Sequence, residues 1–313
     1  MSYFGAVRWL SDDAVERLRQ AADRPDLSGT RYTIREEIGR GGMGTVYLAD
    51  DTVLERPVAL KVLTVVEGGA EAESLLREAR VIAGLEHPGL VPVHDAGVLP
   101  DGRVYYAMKF VGGERLDRYA AGGRTLWDRL AAFQKICDAV AFAHAHGVLH
   151  RDLKPENVMI GAFGEVLVMD WGVARRAGDP PEPGGTVVGT RAYMAPEQAE
   201  GWSERLDERT DVYALGAILR DLLEVRPEPP AAATKALSAV SEMAMSRRPE
   251  DRYQTVPDLS ADVGRFLAGD VPAAHREGAL ERAGRFFRRY RTPILLVLAY
   301  LVMRALLIFF AGR

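Results

Sequence analysis

The sequence predicts a two-lobed α+β fold: a small strand-rich lobe, a larger helical lobe and a cleft between them. Three observations carry this expectation. Period-two alternation punctuated by glycine and other turn residues is concentrated in residues 32–110. Beyond that point the apolar residues recur almost everywhere at helical spacing. At 313 residues, the chain is also longer than one hydrophobic core usually serves.

The elements follow in order. Residues 11–22 read as a short helix, with Ser11 to cap it, Asp12 and Asp13 at its positive end, and Val15, Leu18 and Ala22 on one face. Residues 32–49 read as two strands joined by a glycine-rich hairpin, and residues 57–66 as a third strand. Residues 71–85 carry Leu75, Leu76, Ala79, Ile82 and Ala83 at helical spacing, and His87-Pro88-Gly89 ends that helix. Two more strands are expected at 91–98 and 104–110, after which nearly everything reads as helix.

Composition narrows the functional classes. A hydrophobic share of 48% with 27% charged residues is ordinary for a globular chain, but the apolar residues crowd the last twenty positions. A net charge of -4 gives no basic excess, so a nucleic-acid partner is not expected. The lone Cys137 has no partner for an internal bridge, and in its apolar helical setting it reads as a small buried hydrophobe. The first residues lack a basic start followed by an apolar run, so no secretory signal is read there.

The chemistry begins at Ile38-Gly39-Arg40-Gly41-Gly42-Met43-Gly44-Thr45-Val46. Glycines let backbone amides approach phosphate oxygens closely. In dinucleotide folds such a run opens a helix, whereas here Val46-Tyr47-Leu48 continues as strand. Lys61, in Val58-Ala59-Leu60-Lys61, lies on the next strand, from which an ammonium can reach phosphates under the loop, and Glu78 in the following helix could hold its head group. The strongest signal is His150-Arg151-Asp152-Leu153-Lys154-Pro155-Glu156-Asn157. It puts a proton-accepting carboxylate (Asp152), a phosphate-neutralising ammonium (Lys154) and a metal-binding amide (Asn157) in one loop. Asp170-Trp171-Gly172 adds a second metal ligand, Asp170. Phosphoryl transfer needs an oriented hydroxyl and divalent cations that neutralise the phosphates, and these side chains supply both requirements.

On these motifs, across about residues 32–267, the chain resembles the bacterial eukaryotic-like (Hanks-type) protein serine/threonine kinases. The resemblance implies ATP and Mg²⁺ (or Mn²⁺) as cofactors and proteins as substrates. It implies Lys61 on the α- and β-phosphates with Glu78 as its partner, Asp152 as catalytic base, and Asn157 with Asp170 on the metal. Lys154 beside Asp152 is similar to the pattern of kinases that modify serine and threonine. Gly39, Gly41, Gly42 and Gly44 would cover the phosphates. Ile38, Val46, Ala59, Met108 and Met159 would wall the adenine, each equally readable as core, and residues 109–111 would form the hinge. Ala195-Pro196-Glu197 resembles the end of the activation segment, Arg252 the arginine that pairs with Glu197, and Asp211 the buried brace of the catalytic loop.

The resemblance also bears on regulation. Arg151 matches an arginine that receives an activation-segment phosphate, Thr190 matches the threonine that contacts the catalytic loop, and Thr186 is the expected phosphosite. Trp171 stands where phenylalanine is commoner, and a large aromatic should still pack there. Between residues 224 and 237 the chain lacks a further helix usual in the family, so a shortened docking region is expected.

Residues 293–311 form a nearly continuous apolar run of about bilayer length, broken by Arg304. Twelve Leu, Ile, Val and Phe residues, at about -0.3 to -0.6 kcal/mol each, outweigh one arginine at about +2.5 to +3.5 kcal/mol. Arg282, Arg285, Arg288, Arg289 and Arg291 precede the run, which by the positive-inside rule keeps the catalytic part cytoplasmic. The expected layout is an N-terminal extension (1–30), a kinase domain (31–270), a basic juxtamembrane segment (271–292) and a single transmembrane helix (293–311) in the cell inner membrane. A homodimer is left open. The competing class is an ATP-holding pseudokinase acting as a membrane scaffold, against which the full set of phosphate and metal residues argues.

Overall fold

The computed structural model describes residues 24–41, 44–63, 76, 79–171, 174–176, 189–225, 231–276, 278, 282 and 290–311. The expected helix at 11–22, together with Gly42, Glu78 and Thr186, lies outside the described residues.

The first lobe is built on a five-stranded antiparallel sheet of order β1-β2-β3-β5-β4. Its strands are β1 (Tyr32–Gly41), β2 (Gly44–Asp51), β3 (Arg56–Val62), β4 (Val93–Val98) and β5 (Val104–Lys109). Strand β3 is covered on both faces, so it reads as the continuous run Val58-Ala59-Leu60-Lys61-Val62, all of it buried. Register then fixes the chemistry: Lys61 lies opposite Val46 on β2 and Tyr106 on β5, placing its ammonium on the same sheet as the glycine hairpin. Strand β3 runs to Val62, and the Leu63 amide still donates to the Val104 carbonyl of β5 at 3.0 Å; residues 64–66 of the expected strand lie outside the described residues. Of the expected helix at 71–85, residues 76 and 79–83 are helical and the others before 79 lie outside the description.

The second lobe departs from the near-helical expectation, because five short strands run through it. These are β6 (Gly113–Arg115), β7 (Val148–Leu149), β8 (Val158–Gly161), β9 (Val166–Val168) and β10 (Arg175–Arg176), paired in the orders β6-β8-β9 and β10-β7. Segments of two to four residues carry no readable period, and the β6–β8 and β7–β10 pairings are long-range, so local sequence could not reveal them; β8 and β9 form a hairpin too short to show its alternation. They hold the loop between β7 and β8 that carries His150 to Asn157.

The helices are α1 (Leu116–Ala121), α2 (Leu126–Ala145), α3 (Pro196–Ala199), α4 (Glu208–Glu224), α5 (Ala231–Ala244), α6 (Val256–Leu267) and α7 (Arg291–Ala311). Thr125 and Asp128 form a capping box at the start of α2. Phe133, Ile136, Cys137, Val140 and Ala143 of α2 are then sealed against Val212, Leu215, Ile218 and Leu219 of α4. At about 1.5–3 kcal/mol per large side chain, this stripe contributes substantially to the core of the lobe. Cys137 is fully buried, as the apolar reading required, and burial pushes its thiol well up. Arg129, also fully buried, donates to the carbonyls of Leu222 (2.5 Å) and Val225 (2.9 Å), satisfying groups that the end of α4 would otherwise leave unpaired. Gly216 lets α5 lie close to α4, since a Cβ there would sit 2.7 Å from that of Ala244. Among the described residues, α5 is the one helix between α4 and the arginine motif at 248–252.

Judged on the described residues, no helix is long and apolar enough to cross a membrane. The backbone of α7 is 21 residues long, with side chains described as far as Arg304.

Candidate active site

Between the lobes lies a cavity of about 790 Å³, and most of the residues singled out above converge on it. Ile38, Gly39, Gly41, Gly44, Val46, Ala59 and Lys61 line it from the first lobe. Met108 and the hinge residues Lys109, Phe110 and Val111 line its back, and Asp152, Lys154, Asn157, Met159, Asp170 and Thr190 its floor. Arg151 is not among the lining residues; it is buried behind the loop.

The roof is set by Gly44, whose φ of +149° and close backbone approach admit no side chain: a Cβ there would stand 2.4 Å from the Val62 carbonyl oxygen. Glycine therefore lets the hairpin fold flat over the cavity. In the hinge, the Lys109 amide is taken by the Pro92 carbonyl at 3.0 Å.

The floor is a single hydrogen-bonded unit around Asp152. Lys154 Nζ donates to Asp152 Oδ2 at 2.7 Å and to Thr190 Oγ1 at 2.8 Å. Asp152 Oδ1 accepts from the Thr190 amide at 2.8 Å and from its hydroxyl at 2.9 Å. Asn157 Nδ2 donates to the Asp152 carbonyl at 2.8 Å and to Oδ2 at 3.2 Å, leaving the amide oxygen of Asn157 outside these bonds. A carboxylate held from this many directions keeps its orientation before any ligand arrives.

Lys61, buried on β3, reaches Asp170 Oδ1 at 3.0 Å. Desolvation in the cleft pushes the Asp170 carboxyl up, but the adjoining Lys61 ammonium and further cations outweigh it, so the group is held below the usual carboxylate range. Asp170 and Arg151 both adopt left-handed backbone, φ 59° and 66°. Such conformations cost about 1–3 kcal/mol and persist only where the surroundings enforce them. For Arg151 the enforcing group is Asp211 on α4, which accepts from the amides of His150 (2.8 Å) and Arg151 (2.9 Å). His150 packs against Trp171, ring centroids 4.4 Å apart, and its Nε2 lies 3.0 Å from the Met169 carbonyl oxygen. Trp171 is buried there as the aromatic expectation required.

Glu197 and Arg252 meet in a buried, two-pronged pair, both bonds 2.8 Å. All five guanidinium donors of Arg252 are used, the other three on the carbonyls of Ser246, Arg209 and Arg247.

Sequence reading missed several members of the site. His144 on α2 donates to Asp211 at 2.8 Å, and Gln198 on α3 donates to the Arg151 carbonyl, each bracing the loop from behind. The signal for His144 was its place beside Val140 and Ala143 on the apolar stripe of α2, where a polar residue needs a buried partner. Arg115 and Glu156, at the cavity rim and 3.5 Å apart, gave no such signal.

The residues present suit a nucleotide with a hard divalent cation. Gly44 shapes a cradle that side chains would block, and the two candidate ligands, Asp170 and Asn157, offer oxygen. Among the described residues, no group of three or more His, Cys, Asp or Glu side chains could hold a metal alone. That is consistent with an ion completed by phosphate oxygens and water.

Comparison with known proteins agrees with this geometry. The family profile described as protein kinase domain matches residues 32–270. The chain is 34% identical to the serine/threonine-protein kinase PknD of Protochlamydia amoebophila, over 76% of this chain and 30% of that protein. It is 35% identical to the serine/threonine-protein kinase PknB of Mycobacterium tuberculosis, over 80% of this chain and 45% of that protein. With PknD of Chlamydia caviae the identity is 35%, over 85% of this chain and 34% of the relative. The chain thus spans less than half the length of these relatives, and the stretch it shares with them carries the cleft described above: it belongs to the protein kinase family.

Proposed function

We propose that the chain is an ATP-dependent serine/threonine protein kinase, held at the cytoplasmic face of a cell membrane by its last helix. The observation that carries the catalytic part is the Asp152 carboxylate, fixed by Lys154, Thr190 and Asn157 in the same cavity as the Lys61–Asp170 pair. Asp152 accepts the proton of a serine or threonine hydroxyl, and Lys154 offsets the negative charge beside it. Lys61 holds the α- and β-phosphates, and Glu78 serves as its helix partner. Asn157 and Asp170 offer oxygen ligands to Mg²⁺ or Mn²⁺. When bound, the ion neutralises charge on the transferring phosphoryl group. Asp211 and His144 keep the loop in its strained shape so that Asp152 needs no rearrangement. Thr186 is the site at which autophosphorylation would order the activation segment, with Arg151 as acceptor of the phosphate. The names of the relatives and the Lys154–Thr190 contact support serine and threonine as acceptors. No observation favours the scaffold alternative.

For membrane attachment the support is α7. Its 21 residues extend about 31 Å, close to the thickness of a hydrocarbon core. Leu295, Leu296, Val297, Leu298, Leu301, Val302 and Met303 are all exposed, so the catalytic lobes do not cover this helix. The described side chains stop at Arg304, before the apolar residues 305–311, so on them alone the helix falls short of a span. Taken over its whole length, it carries a single charged residue after Arg291. The five arginines from Arg282 to Arg291 then face the cytoplasm, placing the cleft where ATP is available.

The test is incorporation of labelled phosphate from ATP with Mg²⁺ into the chain itself and a generic protein acceptor, beside an Asp152→Asn control. Label in the active chain, at serine or threonine and absent from the control, is expected. Equal label in both overturns the assignment of Asp152, and none in either overturns the kinase reading. Extraction of membranes at alkaline pH tests the anchor: the full chain is expected to stay with the membrane, and its release overturns the span.

A further inference from the structure

The apolar helix α7 contains one charge that the catalytic reading leaves unused. Arg304 is exposed, thirteen residues beyond Arg291, and the helix from Arg291 to Ala311 has no Asp or Glu. If α7 spans the membrane, as proposed above and as this inference requires, Arg304 lies about 20 Å below the cytoplasmic edge of a hydrocarbon core about 30 Å thick. Escape to lipid headgroups is disfavoured by direction. Side chains on a helix lean toward its N-terminus, so Arg304 leans toward the more distant, cytoplasmic edge and away from the nearer one. A second copy of α7 brings another arginine and no carboxylate, so self-association places like charges together.

Tyr300 stands one turn before Arg304 on the same face, also exposed, and adds a hydroxyl beside the guanidinium. The other described residues of this stretch, from Ile294 to Met303, are apolar. A charged group and a hydroxyl on one stripe of an otherwise apolar helix suit a carboxylate, which the guanidinium can grip with two parallel bonds and the phenol with a third.

From this charge complementarity we infer that the Tyr300–Arg304 stripe of α7 docks against an Asp or Glu within the spanning segment of a different membrane protein.

The experiment uses the full chain in membranes of its own host. A photoreactive amino acid replaces Leu301, beside the stripe, or Val302, on the opposite face of the helix. Crosslinking from position 301 is expected to give an adduct with a membrane protein whose crosslinked span contains Asp or Glu, at least tenfold above that from position 302. Arg304→Leu is expected to lower that adduct tenfold or more and Arg304→Lys, which keeps the charge but not the two-pronged grip, to restore only part of it, while neutralising the partner's carboxylate lowers it as far as Arg304→Leu does. Adducts only with lipid, only with a second copy of this chain or with a span lacking an acid each overturn the inference, as does an adduct indifferent to Arg304. Alkaline extraction of the same membranes separates the two failures. If the chain is released, the membrane reading falls as well; if it stays and Arg304→Leu changes nothing, this inference alone falls. Phosphorylation of a generic acceptor by Arg304→Leu is expected to match the unaltered chain, since Arg304 takes no part in the cleft.

Discussion

The Asp152 carboxylate is held in a cage of hydrogen bonds, and single substitutions should show which bar of the cage matters. Asp152→Asn keeps the size of the side chain but removes the proposed base, so turnover should fall about 10²–10⁴-fold, with nucleotide binding measured by calorimetry little changed. Thr190→Val leaves the amide bond to Asp152 but loses the hydroxyl bonds to Asp152 and Lys154. Hydrogen bonds to charged groups contribute about 1.5–3 kcal/mol, so kcat should drop roughly tenfold or more while KM for ATP holds. Asp211 is a positioning residue and reports through pH. Burial pushes its carboxyl up, but the His144 hydrogen bond and the charges and amides around it prevail, holding it below the ordinary 3.8. A folded value below the unfolded one means a contribution complete above about pH 4 and lost as pH falls through the folded value. Urea-denaturation midpoints should therefore be insensitive to this group from about pH 5 to 8 and decline below about pH 4, with a shallower decline in Asp211→Asn.

At the scale of elements, the second lobe depends on joints between helices whose ends carry little apolar surface. The Glu197–Arg252 pair ties α3 to the turn before α6 in a fully dry setting. Arg252→Ala strands a buried carboxylate and should cost about 3–5 kcal/mol, read as a fall in Tm. Arg252→Lys should rescue little of it, because an ammonium cannot copy the two-pronged bond or fill all five donor positions. Packing of α4 on α5 should be just as sensitive at Gly216. Its replacement by alanine forces a Cβ into the 2.7 Å gap to Ala244 and should destabilise by about 1–3 kcal/mol without touching the cleft.

For the whole molecule, catalysis and anchoring are expected to be separable. Among the described residues, none beyond Thr190 lines the cleft, and the described apolar side chains of α7 from Leu295 to Met303 are exposed. A chain ending at residue 276 should appear in the soluble fraction with kcat and KM for ATP within about twofold of the full chain, on assay of both with a small peptide acceptor. A larger loss would mean that α7 or the segment before it supports the lobes.

How much of this was legible beforehand differs by feature. The sequence by itself determined the candidate set: Lys61, Asp152, Lys154, Asn157 and Asp170 stand in short motifs legible within a few residues, and the structure gathers all five on one cavity. It also determined the five strands of the first lobe, through alternation in β2 and a short continuous apolar run in β3. Only the tertiary structure decided the support for that chemistry. His144, Gln198, Arg129 and the strand pairs β6–β8 and β7–β10 act through partners from 26 to 96 residues away in the chain. No local pattern encodes such pairings, because their free energy exists only once burial has removed water from both partners.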